Sequence, residues 1–364
     1  MKIDFANLGK AYTEHKLAID VAIEKVLTNT SFIMGPVVSE LETNLSNYVG
    51  VKDSISCSSG TDALLLAMMA LDIEPEDEII TTPFTFIATG EAIAFLKAVP
   101  VFVDIDEETY NIDHNKIEKA ITPKTKAIIP VSIFGQVSNM EVINDIAKKY
   151  NLAVIEDAAQ SFGASQGGVR SCNLSTIGCT SFFPAKPLGC FGDGGAVFTN
   201  DEELAIKIKS LRLHGQTKRY HHKYIGMGGR LDTIQAAVLN EKLKNYDIDI
   251  HNRNKVALSY TKQLKNKVVV PIIKPNNISV WAQYSIRVKN REQIQLKLKE
   301  KGIPTAVHYP MPLHLQECFK YLKGKKGDFP IAEKISNEIM SLPMNPYTTK
   351  EEIDYITTNL IKIL

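Results

Sequence analysis

The stretch EIITTPFTFIATGEAIAFLKAVPVFV, residues 78–103, decides the fold of this 364-residue chain. Two β-rich runs, 78–82 and 99–103, are apolar on both faces, and a helical pattern over 87–96 separates them. Two strands joined through a helix require a crossover connection, which makes them parallel, and a strand that is apolar on both faces must be covered by helices. The stretch therefore predicts a parallel sheet between layers of helices.

The same alternation continues on both sides of this unit. β-rich runs recur at 127–131 and 153–155. Apolar residues at helical spacing mark further segments: 12–27, 37–48, 62–71, 114–121 and 141–150. Strands that alternate with helices in this way predict an α/β fold with a mostly parallel sheet.

The pattern changes from about residue 245. We expect one long polar helix over about 232–265, and then a mixture of short β-rich and helical segments: 267–271, 281–288, 291–301 and 305–307. This mixture is typical of a smaller α+β domain. The sequence therefore predicts a large domain over residues 1–245 and a small C-terminal domain over 246–364.

The composition is that of an ordinary globular protein, with 44% apolar and 23% charged residues. Lysine and arginine number 42 and aspartate and glutamate 41, which leaves a net charge of +1. Nucleic-acid binders concentrate positive charge, so this balance argues against a dedicated nucleic-acid-binding protein. No run of 18 apolar residues and no signal-peptide pattern is present, so we expect a cytoplasmic protein without a membrane span.

Metal binding has little support in the sequence. The five cysteines form no CxxC pair, so we expect free thiols in a reducing compartment and no structural zinc site. His214, His221 and His222 lie in a polar, basic stretch, for which a solvated loop is the better interpretation. We therefore predict that the protein holds no metal.

Three motifs carry chemistry, and each alone has a structural alternative. Segment 58–62 (SSGTD) precedes an apolar helix, whose free amides attract an anion, although serine and threonine also serve as helix caps. Segment 154–160 (VIEDAAQ) ends an apolar strand in two carboxylates, one of which could instead cap a helix. Lys186, in segment 180–189 (TSFFPAKPLG), is a nucleophile if it is desolvated and an ordinary loop lysine if it is not.

Together the three motifs describe one ligand. Pyridoxal 5′-phosphate, abbreviated PLP below, requires a phosphate-binding segment, a carboxylate for its pyridinium nitrogen and a lysine that forms a Schiff base. The order and spacing of the motifs are far more specific than any one of them. The residues thus predict a PLP-dependent enzyme.

The whole chain resembles the DegT/DnrJ/EryC1/StrS family of sugar aminotransferases. The resemblance rests on seven segments: 34–36 (MGP), 59–64 (SGTDAL), 84–86 (FTF), 156–160 (EDAAQ), 181–186 (SFFPAK), 192–196 (GDGGA) and 230–232 (RLD). It implies an aspartate-aminotransferase-like fold of type I, with a mostly parallel seven-stranded sheet and a smaller C-terminal α+β domain. It also implies a homodimer with shared active sites.

Carried over by position, the resemblance makes Lys186 the Schiff-base lysine and proton shuttle. Asp157 would hold the pyridine nitrogen protonated, which keeps the ring an electron sink. The other cofactor contacts implied are Gln160 near the ring hydroxyl, Phe86 against the ring face, and Gly60, Thr61 and Ser181 at the phosphate. Gly228 departs from the pattern, because the family usually has an asparagine there that reaches the phosphate across the dimer.

Segments 170–176 (RSCNLST) and 304–310 (PTAVHYP) resemble a subgroup that aminates UDP-2-acetamido-2-deoxy-3-oxo-glucuronate for surface polysaccharides such as O-antigen or capsule. A uronate needs a partner for its carboxylate, and arginine binds carboxylates bidentately. Arg230 is the first candidate, and the resemblance adds His308 and Tyr309. The structural alternatives are a salt bridge from Arg230 to Asp232 or another acid, and a packed, hydrogen-bonded loop histidine at 308.

The expected reaction is transamination, with L-glutamate as donor and 2-oxoglutarate as by-product, and with pyridoxamine 5′-phosphate as the aminated form of the cofactor. One alternative is another dTDP- or UDP-linked sugar, such as a 3-keto- or 4-keto-6-deoxyhexose. The deoxygenating branch of the family has histidine in place of the Schiff-base lysine, so Lys186 argues against it. A non-catalytic regulator on the same fold is the alternative from another class.

Overall fold

The computed structural model describes residues 3–364, and a single seven-stranded sheet forms its centre. Fourteen strands lie within these residues: β1 Asp53–Cys57, β2 Glu78–Thr81, β3 Val99–Phe102, β4 Thr125–Ile128, β5 Ala153–Asp157, β6 Ser165–Gln166, β7 Val169–Arg170, β8 Ile177–Ser181, β9 Gly195–Thr199, β10 Gln216–Lys218, β11 His221–His222, β12 Asn277–Ile278, β13 Tyr284–Arg287 and β14 Ile339–Leu342. The central sheet has the order β1-β9-β8-β5-β4-β2-β3. Only β9 runs antiparallel to its neighbours in this sheet, which confirms the mostly parallel seven-stranded sheet.

Helices cover both faces of the sheet, as strands that are apolar on both faces require. The helices of the described part of the chain are α1 Leu8–Asn29, α2 Pro36–Val49, α3 Gly60–Ala70, α4 Ile87–Phe95, α5 His114–Ala120, α6 Met140–Tyr150, α7 Glu202–Leu211, α8 Thr233–Leu243, α9 Tyr246–Leu264, α10 Arg291–Glu300, α11 Pro330–Glu338 and α12 Lys350–Ile363. One buried cluster joins α2 and α6 to the sheet through Leu41, Leu45 and Ile143. A second joins α3 and α7 to the opposite face through Leu66 and Ile208.

The C-terminal part has its own apolar core, which packs α9, α10 and α12 on the two-stranded sheet β13–β14. Two expected strands are reduced to single bridges, Ala306 with Ser341 and Val269 with Arg287. The long helix expected over 232–265 is wrong as one element, because α8 and α9 are separate helices with Lys244 and Asn245 between them.

The division of the chain at residue 245 stays a prediction. The break between α8 and α9 lies there, but Tyr246 and Ile250, in the first part of α9, still pack into the core of the large sheet. Val256 and Leu264, further along the same helix, belong to the C-terminal core. The helix α9 therefore contributes to both cores.

Polar contacts hold the two parts together. The Asp104 carboxylate, next to the end of β3, accepts hydrogen bonds from the Ile331 and Ala332 amides at 3.0 and 2.9 Å and so caps α11. The buried Arg287 guanidinium of β13 donates to Glu107 at 2.9 Å. These bonds fix the C-terminal part over the carboxyl edge of β3 and the loop that follows it.

Within residues 3–364, every helix is too short or too polar to span a lipid bilayer.

A buried ion pair connects the edge strand of the sheet to its helices, and its contribution to stability can be tested. The Arg212 guanidinium is nearly inaccessible and donates to the Glu42 carboxylate and, at 2.7 Å, to the Ser56 carbonyl. We expect Arg212→Leu to lower the free energy of unfolding by about 3–5 kcal/mol, because Glu42 loses its charge partner in a poorly solvated place. The control Lys10→Met breaks the exposed ion pair between Lys10 and Glu14 and should change the free energy of unfolding little. Urea denaturation measures both, and equal effects would contradict the prediction.

Candidate active site

The carboxyl ends of the central strands bring the sequence-predicted residues to one edge of the sheet. β5 ends at Asp157, whose side chain is only 5% exposed. Its Oδ2 accepts a hydrogen bond of 2.7 Å from the Thr89 hydroxyl in the first turn of α4, and its Oδ1 accepts one of 3.2 Å from the Ala159 amide. The edge of the sheet thus holds a carboxylate with both oxygens engaged.

The two carboxylates at the end of β5 have different surroundings. Successive side chains of a strand point to opposite faces, so Glu156 and Asp157 diverge. Glu156 is fully buried and accepts hydrogen bonds from the Ser132 and Ser171 hydroxyls at 3.0 and 2.7 Å and from the Cys172 amide at 2.7 Å. Those bonds satisfy Glu156 within the fold, which leaves Asp157 as the carboxylate of the site.

Lys186 lies on a tight loop between β8 and β9. The Lys186 amide donates to the Phe183 carbonyl at 2.8 Å, and the loop closes so tightly that a Cβ on Gly189 would lie 2.5 Å from the Pro184 oxygen. α8 holds the far side of this loop, where the Lys242 ammonium donates to the Gly189 carbonyl. The loop therefore has a defined shape, although it has no regular secondary structure.

Charge and burial act on Lys186 and Asp157 in opposite ways. Burial lowers the pKa of the Lys186 amine, and the nearby Asp157 charge offsets part of that effect. Burial also raises the pKa of Asp157, while the Thr89 bond, the Ala159 bond and the Lys186 charge oppose the rise. Each group would be more easily charged in water than here. The site thus contains an amine that loses its proton readily and a carboxylate in need of a cation.

The start of α3 lies beside the end of β8. A Cβ added at Gly60 would come within 2.7 Å of the Ser181 Cβ, and one added at Gly195 would come within 2.4 Å of the Ser59 carbonyl oxygen. Glycine is needed at both positions because the backbones approach so closely. The Ser59 hydroxyl caps α3 by accepting from the Asp62 amide at 3.0 Å, so the expected cap exists. The Gly60 and Thr61 amides, in the first turn, have no partners within the helix itself and lie beside Ser181.

Gln160 joins the large sheet to the C-terminal part. Its side-chain oxygen accepts from the Phe134 amide at 2.8 Å, and its amide nitrogen donates to the Tyr309 hydroxyl at 3.1 Å. The Phe86 ring lies 5.9 Å from the Tyr309 ring between centroids and is 52% exposed. The structure therefore brings Gln160, Phe86 and Tyr309 together, as the sequence analysis expected of site residues.

His308 lies next to this group. Its Nδ1 is 2.8 Å from the Ser341 hydroxyl, and burial, together with the Lys186 charge, lowers the pKa of His308 to about 4. The imidazole is therefore neutral at ordinary pH. Tyr309 also stays neutral, because burial and the Asp157 charge raise the pKa of its hydroxyl.

Arg230 has no acid partner in the described part of the chain. No carboxylate oxygen in residues 3–364 lies within 4.0 Å of its guanidinium, so the alternative of a salt bridge to Asp232 is wrong. The Gly229 carbonyl, directly before it, accepts from the Ser58 amide at 3.1 Å. Arg230 thus lies next to the loop that starts α3, with its charge available.

The space at Gly228 is occupied by a histidine ring. A Cβ added at Gly228 would lie 3.0 Å from Cε1 and 3.1 Å from Nε2 of His214. His221 and His222 lie in the exposed hairpin β10–β11, which matches the solvated loop expected for them. The described residues contain no group of three or more histidine, cysteine, aspartate or glutamate side chains arranged to hold a metal.

The residues present fit a phosphorylated pyridine. Asp157 is buried, and in residues 3–364 no cationic nitrogen lies within 4.0 Å of it, so it suits a protonated ring nitrogen. The first turn of α3 with the Ser181 hydroxyl suits a phosphate, since helix amides attract anions. Phe86 offers an exposed ring face, and Lys186 supplies an amine of lowered pKa.

Two residues of the site, Thr85 and Thr89, were not predicted from the sequence. Both are buried, and Thr89 donates directly to Asp157. Thr85 lies two residues before α4 and Thr89 in its first turn, and a pair of threonines on either side of Phe86 is the signal that could have found them.

Three comparisons with known proteins agree with this geometry. The sequence profile of the DegT/DnrJ/EryC1/StrS aminotransferase family matches residues 14–361. The UDP-2-acetamido-2-deoxy-3-oxo-D-glucuronate aminotransferase of Pseudomonas aeruginosa is 52% identical over 359 residues, which cover 98% of this chain and 99% of that protein. A pleiotropic regulatory protein of Geobacillus stearothermophilus is 43% identical over 364 residues, 99% of this chain and 98% of that protein.

Among solved structures, NtdA from Bacillus subtilis with bound cofactor PMP (pyridoxamine phosphate) has a TM-score of 0.92 and 34% identity. The match covers 100% of this chain and 85% of that chain. The expected aspartate-aminotransferase-like fold and the expected cofactor are thereby confirmed. The chain belongs to the DegT/DnrJ/EryC1/StrS aminotransferase family, whose members depend on pyridoxal 5′-phosphate.

Proposed function

We propose that this aminotransferase moves the amino group of L-glutamate to the C3 ketone of UDP-2-acetamido-2-deoxy-3-oxo-glucuronate. The products are the UDP-linked 3-amino sugar acid and 2-oxoglutarate. The 52% identity, over nearly the full length, to the P. aeruginosa enzyme of that name carries the choice of sugar. We assign the product to the synthesis of surface polysaccharides such as O-antigen or capsule.

The residues that would contact the cofactor are those that the fold brings together at the carboxyl edge of the sheet. Asp157 would hold the ring nitrogen, and Gln160 would lie near the ring hydroxyl. Phe86 would cover the ring face. Gly60, Thr61 and Ser181 would hold the phosphate. When bound, PLP supplies an electron sink for the electrons released as the substrate carbon loses its proton.

Lys186 would be the acid and base of the reaction. Its lowered pKa supports this role, because an amine accepts a proton only in its neutral form. It would take a proton from the donor carbon of L-glutamate and return one to C3 of the sugar. The Lys242 contact to Gly189 keeps the loop that carries Lys186 in place.

The sugar carboxylate would bind at Arg230. Its guanidinium has no acid partner in residues 3–364 and can bind a carboxylate bidentately. His308 is neutral because its pKa lies at about 4, so it would add a hydrogen bond rather than a charge. Tyr309 would add a hydroxyl. Arg230 thus provides the positive charge that distinguishes a uronate from a neutral sugar.

We propose a homodimer with shared active sites. Three exposed phenylalanines support it, since exposed apolar side chains mark interfaces. They lie next to or within the segments that form the site: Phe32, Phe183 and Phe191. The five free cysteines suit a reducing compartment, and we assign the enzyme to the cytoplasm.

The absorbance of the PLP-loaded protein tests donor and sugar in turn. L-Glutamate should shift the long-wavelength band to the shorter wavelength of pyridoxamine phosphate, with release of equimolar 2-oxoglutarate. The UDP-linked 3-oxo sugar acid should then reverse the shift. A loaded protein that ignores L-glutamate would exclude this donor. Reversal by a neutral keto-6-deoxyhexose nucleotide, and not by the sugar acid, would exclude the sugar. A protein that takes up no PLP would support the regulatory alternative.

Replacement of the catalytic amine is the second test. Lys186→Ala should lower kcat by about 10²–10⁴-fold or more, because the substitution removes the group that transfers the proton. The circular dichroism spectrum should stay unchanged. Lys244→Ala, at an exposed lysine between α8 and α9, serves as control and should retain activity. Transamination at the original rate by Lys186→Ala would remove Lys186 from the mechanism.

The role of Arg230 is tested with two substrates. Arg230→Met should raise KM for the sugar acid roughly ten- to a hundredfold, through loss of a charge-assisted pair, and leave KM for the neutral UDP-N-acetyl-3-oxo-glucosamine unchanged. Arg170→Met is the control, because Arg170 binds Asp247 and Tyr48. Steady-state kinetics measure each KM. An equal rise for both sugars would show that Arg230 does not bind the carboxylate.

A further inference from the structure

Two buried threonines form a hydrogen-bonded chain that ends on Asp157. Thr85 lies just before α4 and Thr89 in its first turn, and their side chains are 3% and 1% exposed. Their hydroxyl oxygens are 3.1 Å apart, and the Thr89 oxygen lies 2.7 Å from Oδ2 of Asp157. Neither threonine is needed for the chemistry assigned above.

The direction of these bonds follows from the proton count. A threonine hydroxyl has one proton to donate and two lone pairs that accept. Thr89 donates its proton to Asp157, so it has only lone pairs to offer Thr85. Thr85 is therefore the donor to Thr89, and both hydroxyl dipoles point their positive ends toward the carboxylate.

This arrangement acts on the charge and on the orientation of Asp157. A hydroxyl that donates to a carboxylate favours the ionised form, and the bond from Thr89 opposes the rise in the pKa of Asp157 that burial causes. Oδ1 is held by the Ala159 amide at 3.2 Å and Oδ2 by Thr89 at 2.7 Å, so the plane of the carboxylate is set by two contacts.

We propose that Thr89, supported by Thr85, is a positioning residue that keeps the Asp157 carboxylate ionised and aimed at the ring nitrogen of the cofactor. The inference rests on the proposed role of Asp157 as the partner of that nitrogen. Without the hydroxyl, the carboxylate would be free to turn and would hold its charge less well, so the ring nitrogen would be protonated less completely.

A merely structural threonine is the competing explanation, and the chain offers a matched control. Thr81 in β2 is also fully buried, and its hydroxyl donates to the Ile129 carbonyl at 2.8 Å. Replacing Thr81 or Thr89 by valine removes one buried hydroxyl in each case and nearly preserves volume. Only Thr89 touches Asp157.

The experiment uses the full-length protein loaded with PLP carrying ¹⁵N in the ring, as wild type, Thr89→Val, Thr89→Ser, Thr81→Val and Asp157→Asn. In Thr89→Val the ring ¹⁵N resonance should move toward that of an unprotonated pyridine, in the direction shown by Asp157→Asn. The rate of the half-reaction with L-glutamate should fall about ten- to a hundredfold, the range for one charge-assisted hydrogen bond, with the L-glutamate concentration for half-maximal rate within about threefold of the wild type. Thr89→Ser and Thr81→Val should both resemble the wild type.

Three results would overturn the proposal. The first is a wild-type ring resonance in Thr89→Val, and the second is a fall in the rate with L-glutamate in Thr81→Val as large as that in Thr89→Val. The third is a fall in that rate in Thr89→Ser, which keeps the hydroxyl. The resonance is read without any sugar, so a wrong sugar assignment leaves this test intact. A wild-type resonance in Asp157→Asn would instead refute Asp157 as partner of the ring nitrogen, and with it that part of the proposed function.

Discussion

The buried carboxylate of Asp157 is the constraint around which this site is built. A charge removed from water is costly unless it is hydrogen-bonded and paired. Thr89 and Ala159 supply the hydrogen bonds, and Lys186 supplies an opposite charge that forms no ion pair of 4.0 Å or less in the described residues. The pairing of Asp157 is thus incomplete within the chain. A protonated pyridine would complete it, and this need for a cation supports the proposed role of Asp157 as the partner of the ring nitrogen.

Close backbone approach and side-chain anchoring make the rest of the site rigid. Gly60 and Gly195 allow the start of α3 to lie against the end of β8 and the start of β9, so the proposed phosphate-binding segment has little freedom to move. Gln235 and Lys242 on α8 hold the loop that follows Lys186, through the Phe191 amide and the Gly189 carbonyl. A reactive lysine on a flexible stem gains precision when its loop is held by a helix.

The substrate side depends on contacts between the two parts of the chain. The cap of α11 by Asp104 and the bond from Arg287 to Glu107 fix the C-terminal part over the sheet edge. The bond from Gln160 to Tyr309 continues that junction into the site. Burial keeps His308 and Tyr309 uncharged, so in the proposed function the positive charge offered to a substrate acid would come from Arg230. In the proposed function, cofactor and substrate would therefore meet at the boundary of the two cores.

The sequence by itself determined the parallel sheet and the residues Lys186 and Asp157, because apolar periodicity and short motifs are local properties of the chain. The structure alone decided that α8 and α9 are two helices, that Thr89 binds Asp157 and that Gln160 binds Tyr309. These features depend on contacts between residues far apart in the chain: Thr89 and Asp157 are 68 positions apart, and Gln160 and Tyr309 are 149. A local sequence pattern does not specify such pairs, because they form only when the folded chain packs together.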